Sequence, residues 1–412
     1  MNTKRIGVLV GVMVAVFLVS SSIGFCLTRQ EKEETYRELE LFADALAFVQ
    51  TQYVDSETAE DLIYGALSGL LAALDPYSQF LDPEDYKELL VETKGTFGGL
   101  GVEITIKDGL LTVVSPLEDT PAWRAGLKPG DRIVKIEGEL TRGITLTDAV
   151  KLLRGDPNTE VKITVLREKE RKLFDVVITR EIIKIMDIRR KLILEDDVGF
   201  IRLAEFREGT VKELDKAIAE LEKQGARAYI LDLRNNPGGL LDTAVRVTSR
   251  FIEPDKLIVY TLNREKKRIE YRASPRIERI IDKPMIVLIN QGSASGSEIV
   301  AGCLQDYNRA VLLGETSFGK ASVQTVLPLS DGSALRLTTA RYYTPEGRLI
   351  QDKGIVPDIT VEAVYNQQDK TKEDEVFEKV EVKEDDNFYK DDNQIMRALD
   401  LARGLLIAVE RK

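Results

Sequence analysis

From Glu181 onward the chain alternates short apolar runs with longer amphipathic ones, and that alternation constrains its fold more than any other feature. Residues 198–203, 228–233 and 285–289 have the length and apolar content of buried strands, and residues 211–224 and 240–251 carry helical periodicity between them. Strands joined by helices bury their sheet under helical layers, so an α/β layout is expected here. A chain of 412 residues exceeds what one hydrophobic core organises, so two or three domains are expected in all.

Upstream, residues 93–180 read as short strands and two helices, with strands at 102–106, 110–115 and 133–137, a helix near 146–153, then two paired strands. Glycines carry the information: Gly98, Gly99 and Gly101 surround Leu100 in GGLGVEI, and AGLKPGD makes a second turn. Consecutive glycines let backbone N–H groups converge as an anion nest, and the strand after them offers an open edge to a peptide. Residues 98–104 resemble the carboxylate-binding loop of PDZ domains, and residues 115–138 resemble the second half of that fold, a partly open β-barrel with two helices. The resemblance implies capture of a free C-terminus at Gly98, Gly99, Leu100 and Gly101. Apolar tails are expected, because Leu100, Val102 and Ile104 supply no charge.

Residues 6–28 carry no charge and follow Lys4 and Arg5, which reads as an export signal. A bilayer needs about 20 apolar residues and a cleavable signal only about 7 to 15, so the length favours a retained membrane anchor. The positive-inside rule then places the body outside the cytoplasm, in the periplasm or on the outer face of the inner membrane of a bacterial cell envelope. Ser22 and Gly24 offer an alternative cleavage site, and Cys26 an alternative lipidation site that the bulk of Phe25 disfavours. Leu39, Phe42, Leu46 and Val49, and a second run over 62–74, predict a pair of helices within 31–90. Residues 366–392 are a charged linker by composition, and 394–409 regain a helical stripe through Met396, Leu399, Leu401 and Leu405. Both terminal stripes need burial, so self-association through them is expected.

Composition matters to the chemistry through an absence: the chain contains no histidine. Ser/His/Asp and Cys/His catalysis, HExxH zinc sites and ordinary histidine-ligated metals are thereby excluded. Cys26 and Cys303, the two cysteines, lack CxxC spacing, so no disulfide framework, metal or other cofactor is expected. A formal charge of −11 without a clustered basic patch argues against nucleic acid as a partner.

Two segments interrupt the strand–helix alternation. NQGSASGSEIVAG, residues 290–302, lies between an apolar strand and a predicted helix, so its turn can present a hydroxyl at a helix N-terminus, where N–H groups stabilise negative charge. Ser293, Ser295 and Ser297 each qualify, and each could instead be a plain helix cap. In ETSFGKASVQ, residues 315–324, Lys320 sits among Phe318, Gly319 and Ala321 where a strand is about to begin. Alone it would be a solvated lysine. Paired with a serine it forms a nucleophile and base that need no histidine, because burial depresses a lysine pKa from about 10.4 by desolvating the cation.

DLRNNPGG, NQGSASGSEIVAG and SFGKASVQ, in this order behind a PDZ-like module, are similar to the signature segments of the carboxyl-terminal processing, or tail-specific, proteases of peptidase family S41, over about residues 36–361. The resemblance implies Ser295 as nucleophile, Lys320 as general base and Gln324 as the residue that orients the lysine. It also implies the N–H of Gly296 as one oxyanion donor and that of Gly238 or Gly239 as the other. Gly296 stands where alanine is commoner and Ala321 where glycine is frequent, so a more mobile nucleophile loop is expected.

The implied architecture is an α+β multidomain chain. An anchor at 1–30 and a helical region at 31–91 precede a PDZ domain at 92–180, joined to an α/β, ClpP/crotonase-like protease core at 181–362; a linker and C-terminal helix follow at 363–412. The implied activity is that of an extracytoplasmic serine endopeptidase acting on proteins with apolar free C-termini, as a homodimer or higher oligomer, with room for an activating adaptor. A tail-binding scaffold without catalysis would lack Ser295, Lys320 or Gln324, and a lipid or retinoid carrier on the same fold would lack the tail-binding module. An intramembrane enzyme would need more than one apolar span.

Overall fold

A computed structural model describes residues 34, 36–117, 119–275, 283–364 and 388–411. The apolar segment 6–28 with Cys26, and residues 366–387 of the charged stretch, lie outside the described residues. Among the described residues, no helix is long and apolar enough to cross a membrane.

The chain divides into two compact units, 1–82 and 83–412. The first holds α1 (36–52), α2 (Ala59–Ala72) and β1 (Gln79–Leu81). Helix α2 begins at Thr58, whose side chain accepts the Asp61 N–H and satisfies one orphan donor of the first turn. The expected pairing of α1 and α2 does not bury the α1 stripe: Leu39, Phe42 and Val49 stay exposed, as do Tyr36 and Phe48.

The second unit opens with α3 (Pro83–Lys94) and β2 (Thr96–Gly99), followed by β3 (Val102–Lys107), β4 (Leu110–Pro116), α4 (Pro121–Arg124), β5 (Arg132–Ile136), β6 (Glu139–Leu140), α5 (Leu146–Leu153), β7 (Glu160–Arg167), β8 (Lys172–Thr179) and β9 (Glu181–Lys184). One antiparallel sheet runs β3-β4-β5-β7-β8, with β6 on β5. In β7 the inward positions Val161, Ile163 and Val165 are buried while Glu160 and Lys162 face water, the period-2 pattern of a sheet with one covered face. β3 is an edge strand with α5 alongside, and β2 pairs with β9 where the module joins the rest of the unit.

The remainder comprises β10 (Ile188–Leu194), β11 (Val198–Leu203), α6 (Thr210–Lys223), β12 (Ala228–Asp232), α7 (Leu241–Thr248), β13 (Leu257–Asn263), β14 (Arg268–Arg272), β15 (Met285–Ile289), α8 (Gly296–Asp306), β16 (Val311–Gly314), β17 (Ser322–Pro328), β18 (Ala334–Tyr343), β19 (Ile359–Thr360) and α9 (Asn393–Glu410). The main sheet runs β10-β11-β12-β15-β16-β19, parallel from β11 onward. Every residue of β12 and β15 is buried, as parallel strands between two covered faces require. Alternate residues serve opposite faces. Leu231, Val287 and Leu312 pack with apolar residues of α6, α7 and α8, whereas Ile230, Ile286, Leu288 and Leu313 pack with Ile395, Ala398, Leu399, Ala402 and Leu406 of α9. The α9 stripe is therefore covered by its own chain, which removes the reason to expect self-association through it. Cys303 is fully buried within α8. A second sheet pairs β17 with β18, β18 with β13, and β13 with β14, all antiparallel.

Candidate active site

Three connections converge at the C-terminal ends of β12 and β15, where helices open beside parallel strands. The turn between β15 and α8 is built from side chain to backbone bonds. The Ser293 hydroxyl donates to the Leu233 carbonyl at 2.8 Å and accepts the Asn290 N–H at 3.0 Å, and the Ser297 hydroxyl donates to the Asn236 carbonyl at 2.9 Å. Both serines are fully buried. Ser295, between them, is partly exposed and holds φ +52° and ψ −108°, a left-handed backbone that costs energy for any residue with a side chain. Its neighbour Gly296 starts α8, and a Cβ there would lie 3.0 Å from the Phe206 ring. That approach leaves little room for the alanine commoner at this position, which accounts for glycine here.

The second connection is the NNPGG turn after β12. Asn236 is fully buried; its Nδ2 donates to the Leu203 carbonyl and its Oδ1 accepts the Gly238 N–H, each at 2.9 Å. The Asn236 carbonyl also accepts the Ala294 N–H at 3.0 Å, tying this turn to the serine turn. Gly238 has φ +105°, and a Cβ on it would meet Ser295 Cβ and the Gly296 nitrogen at 2.8 Å, so only glycine allows this approach. Gly239 forms a parallel bridge with Phe206. The Gly238 N–H is thus committed to Asn236, which separates two glycines that the motif alone left equivalent.

The third is the segment entering β17. The Phe318 N–H donates to the Ser293 carbonyl at 3.0 Å, drawing the lysine strand onto the serine turn. Lys320 is partly exposed beside the fully buried Ala321. Gln324 lies on β17, its Nε2 donating to Ser322 Oγ at 2.9 Å and Thr338 Oγ1 at 3.2 Å. Ser295, Lys320, Gln324, Gly238 and Gly239 all line one cleft of about 400 Å³. Its further walls include Leu89, Leu241, Ile299, Val323 and Val326. Two residues passed over in the sequence, Glu298 and Tyr342, are fully buried against this cleft. Glu298 had a readable signal in its position three residues after Ser295, the spacing of a capping box; Tyr342 had none.

The glycine loop of the first module differs from the expected nest. Gly98 and Gly99 belong to β2, opposite Ile182 and Glu181 of β9, so their backbones serve a strand ladder. A Cβ on Gly98 would lie 2.1 Å from the Gly155 carbonyl oxygen, which accounts for glycine there without an anion. The turn itself is Leu100 and Gly101: Leu100 is buried, and Gly101, at φ +72°, accepts the Leu117 N–H and the Thr120 hydroxyl on its carbonyl. The open edge of β3 follows directly.

Residues 197–361 match the family model of peptidase family S41, residues 112–167 that of a PDZ domain, and residues 20–85 that of the activating protease CtpB N-terminal domain. The carboxy-terminal-processing protease of Bartonella bacilliformis is 45% identical over 354 residues, spanning 84% of this chain and 81% of that protein. The carboxy-terminal processing protease CtpA of Bacillus subtilis is 37% identical over 315 residues, 76% of this chain and 67% of that protein. Among solved structures, one assigned to the S41 proteases of Bacteroides fragilis covers 87% of this chain and 97% of its own at 18% identity and a TM-score of 0.51, a likeness of fold.

Proposed function

The chain belongs to the carboxy-terminal processing proteases of peptidase family S41, serine-type peptidases, and we propose that it cleaves extracytoplasmic proteins held by their free, apolar C-termini on its PDZ domain. Ser295 is the nucleophile and Lys320 the general base. The observation that carries this reading is the fate of the three serines: Ser293 and Ser297 give their hydroxyls to buried carbonyls, while Ser295 lines the cleft that Lys320 also lines.

Neutral Lys320 accepts the hydroxyl proton as Ser295 Oγ attacks the scissile carbonyl, then returns it to the leaving amine; a water activated by the same amine releases the acyl group. The oxyanion is held by the Gly296 N–H at the start of α8, where the helix dipole adds to the hydrogen bond. The second donor falls to Gly239, since Gly238 is committed to Asn236. Gln324, its Nε2 held by Ser322 and Thr338, offers Oε1 to orient the lysine. Leu89, Leu241, Ile299, Val323 and Val326 suit an apolar side chain at the cut. The arriving tail adds a strand to the β3 edge and places its carboxylate at Leu100 and Gly101.

Residues 6–28 serve as the anchor of an envelope enzyme, and the exposed α1 face supports a homodimer or higher oligomer. Digestion of casein and of a tailed peptide by wild type, Ser295→Ala and Lys320→Ala tests the central claim. Both variants should lose nearly all activity, and wild-type rates in either would overturn the dyad.

A further inference from the structure

Two buried side chains hold the proposed nucleophile and base by their backbones. Glu298 Oε2 accepts the N–H of Ser295 at 2.8 Å and that of Lys320 at 2.9 Å, while its Oε1 accepts the N–H of Gly319 at 2.7 Å and the hydroxyl of Ser317 at 2.6 Å. Tyr342, in β18, directs its hydroxyl at the carbonyls of Ser295, 3.1 Å away, and Lys320, 2.5 Å away. The N–H groups of both residues thus meet on one carboxylate and their carbonyls on one hydroxyl, although 25 residues of sequence separate them.

We infer that Glu298 and Tyr342 are positioning residues, a two-sided clamp that sets the separation and orientation of Ser295 and Lys320. The inference rests on those two being the catalytic pair. Helix capping alone does not account for it, because a serine or asparagine caps a helix without burying a charge, and a buried carboxylate is costly unless its lone pairs are filled. Here all four acceptor positions are used, three of them by the lysine segment rather than the helix. Ser295 is held at φ +52°, and such strain persists only where the surroundings over-determine it. The clamp also divides the donors: the Ser295 N–H is spent on Glu298, which leaves the Gly296 N–H for the oxyanion. Burial pushes the Tyr342 phenol well above its usual value, with the Glu298 charge adding to it, so the hydroxyl stays a donor throughout the working range.

The test uses the full chain and compares Glu298→Gln and Tyr342→Phe with Ser295→Ala and Lys320→Ala, reading kcat, KM, the pH profile of kcat and thermal unfolding. Tyr342→Phe keeps the ring and removes the shared donor; kcat should fall about 10- to 100-fold with KM little changed, since misplacement by about 1 Å costs about 100-fold. Glu298→Gln sets an amide NH₂ against two N–H or O–H donors, so a fall of about 100-fold or more is expected. The pH dependence of its remaining activity should change, because the buried carboxyl that holds the Ser295 and Lys320 backbones, raised above its usual value by burial, is replaced by an amide that does not titrate. The other charged groups of the cleft, Glu92, Glu205, Arg207 and Arg336, are untouched by this change. A residue that only supports the fold would lower the melting temperature and leave the pH profile in place. Inactive Ser295→Ala and Lys320→Ala alongside clamp variants with wild-type kcat and profile would overturn the clamp alone. Active Ser295→Ala or Lys320→Ala would remove the dyad and the clamp with it.

Discussion

Replacing Asn236 by alanine probes whether the NNPGG turn holds the enzyme together, aims the oxyanion donor, or does both. The amide side chain is fully buried and makes two bonds of 2.9 Å, to the Leu203 carbonyl and from the Gly238 N–H. Alanine leaves the buried Leu203 carbonyl unpaired, a loss of about 1–3 kcal/mol, and frees the Gly238 N–H on the wall of the cleft. The Asn236 carbonyl still receives the Ala294 N–H and the Ser297 hydroxyl, so the turn stays attached to the serine loop. What it loses is the bond that orients the Gly238–Gly239 peptide. Removal of one oxyanion donor costs about 100- to 1000-fold in kcat, so a misaimed one should cost about 10- to 100-fold with KM little changed. Urea unfolding gives the first quantity, and steady-state hydrolysis of a fluorogenic peptide the second. Asn236→Asp separates the two bonds: it keeps an acceptor for Gly238 and loses the donor to Leu203, so it should lose stability yet keep more of kcat than alanine does. An Asn236→Ala enzyme that unfolds earlier but turns over at the wild-type rate would refute the coupling of this turn to oxyanion stabilisation.

A peptide ending in free Ala or Val should be cut much faster than its amidated twin, and Gly101→Asp should shrink the difference, because a Cβ there would lie 2.3 Å from Thr120 Cβ; equal wild-type rates would refute selection by the terminus. Leu399→Ala should destabilise the chain by about 2–5 kcal/mol in urea without changing its sedimentation, since α9 is buried in its own chain; a changed oligomer at unchanged stability would contradict that burial. Burial raises the Glu205 carboxyl above its usual 4.5, so the unfolded chain ionises first and stability falls as pH rises through that interval. Glu205→Gln should flatten this decline in the urea midpoint, and an unchanged slope would count against the raised carboxyl.

Much of the architecture was readable because it rests on local patterns. The strands expected at 198–203 and 285–289 and the helix at 146–153 form over those residues, since short apolar runs and period-3.6 hydrophobicity are written into neighbouring positions. The absence of histidine narrowed the chemistry, and the order of three short motifs indicated the family. Gly98, Gly99 and Gly101 look alike in the sequence because glycine marks close approach or a left-handed turn alike, and only the partner strand β9 sets the first two apart as strand residues.

What the sequence determined by itself was therefore the set of elements, the protease class and a short roster of chemical groups. Tertiary structure decided which of those groups are engaged in hydrogen bonds with distant segments. Ser293 and Ser297 are withdrawn by carbonyls of Leu233 and Asn236, about 60 residues earlier in the chain, as 60 and 61 positions separate the partners. Gly238 is withdrawn by Asn236, and Glu298 and Tyr342 enter only because β15, β17 and β18 bring distant segments together. The physical reason is common to all of them: a buried polar group must find its partner in space, and the sequence does not state which distant segment will supply it.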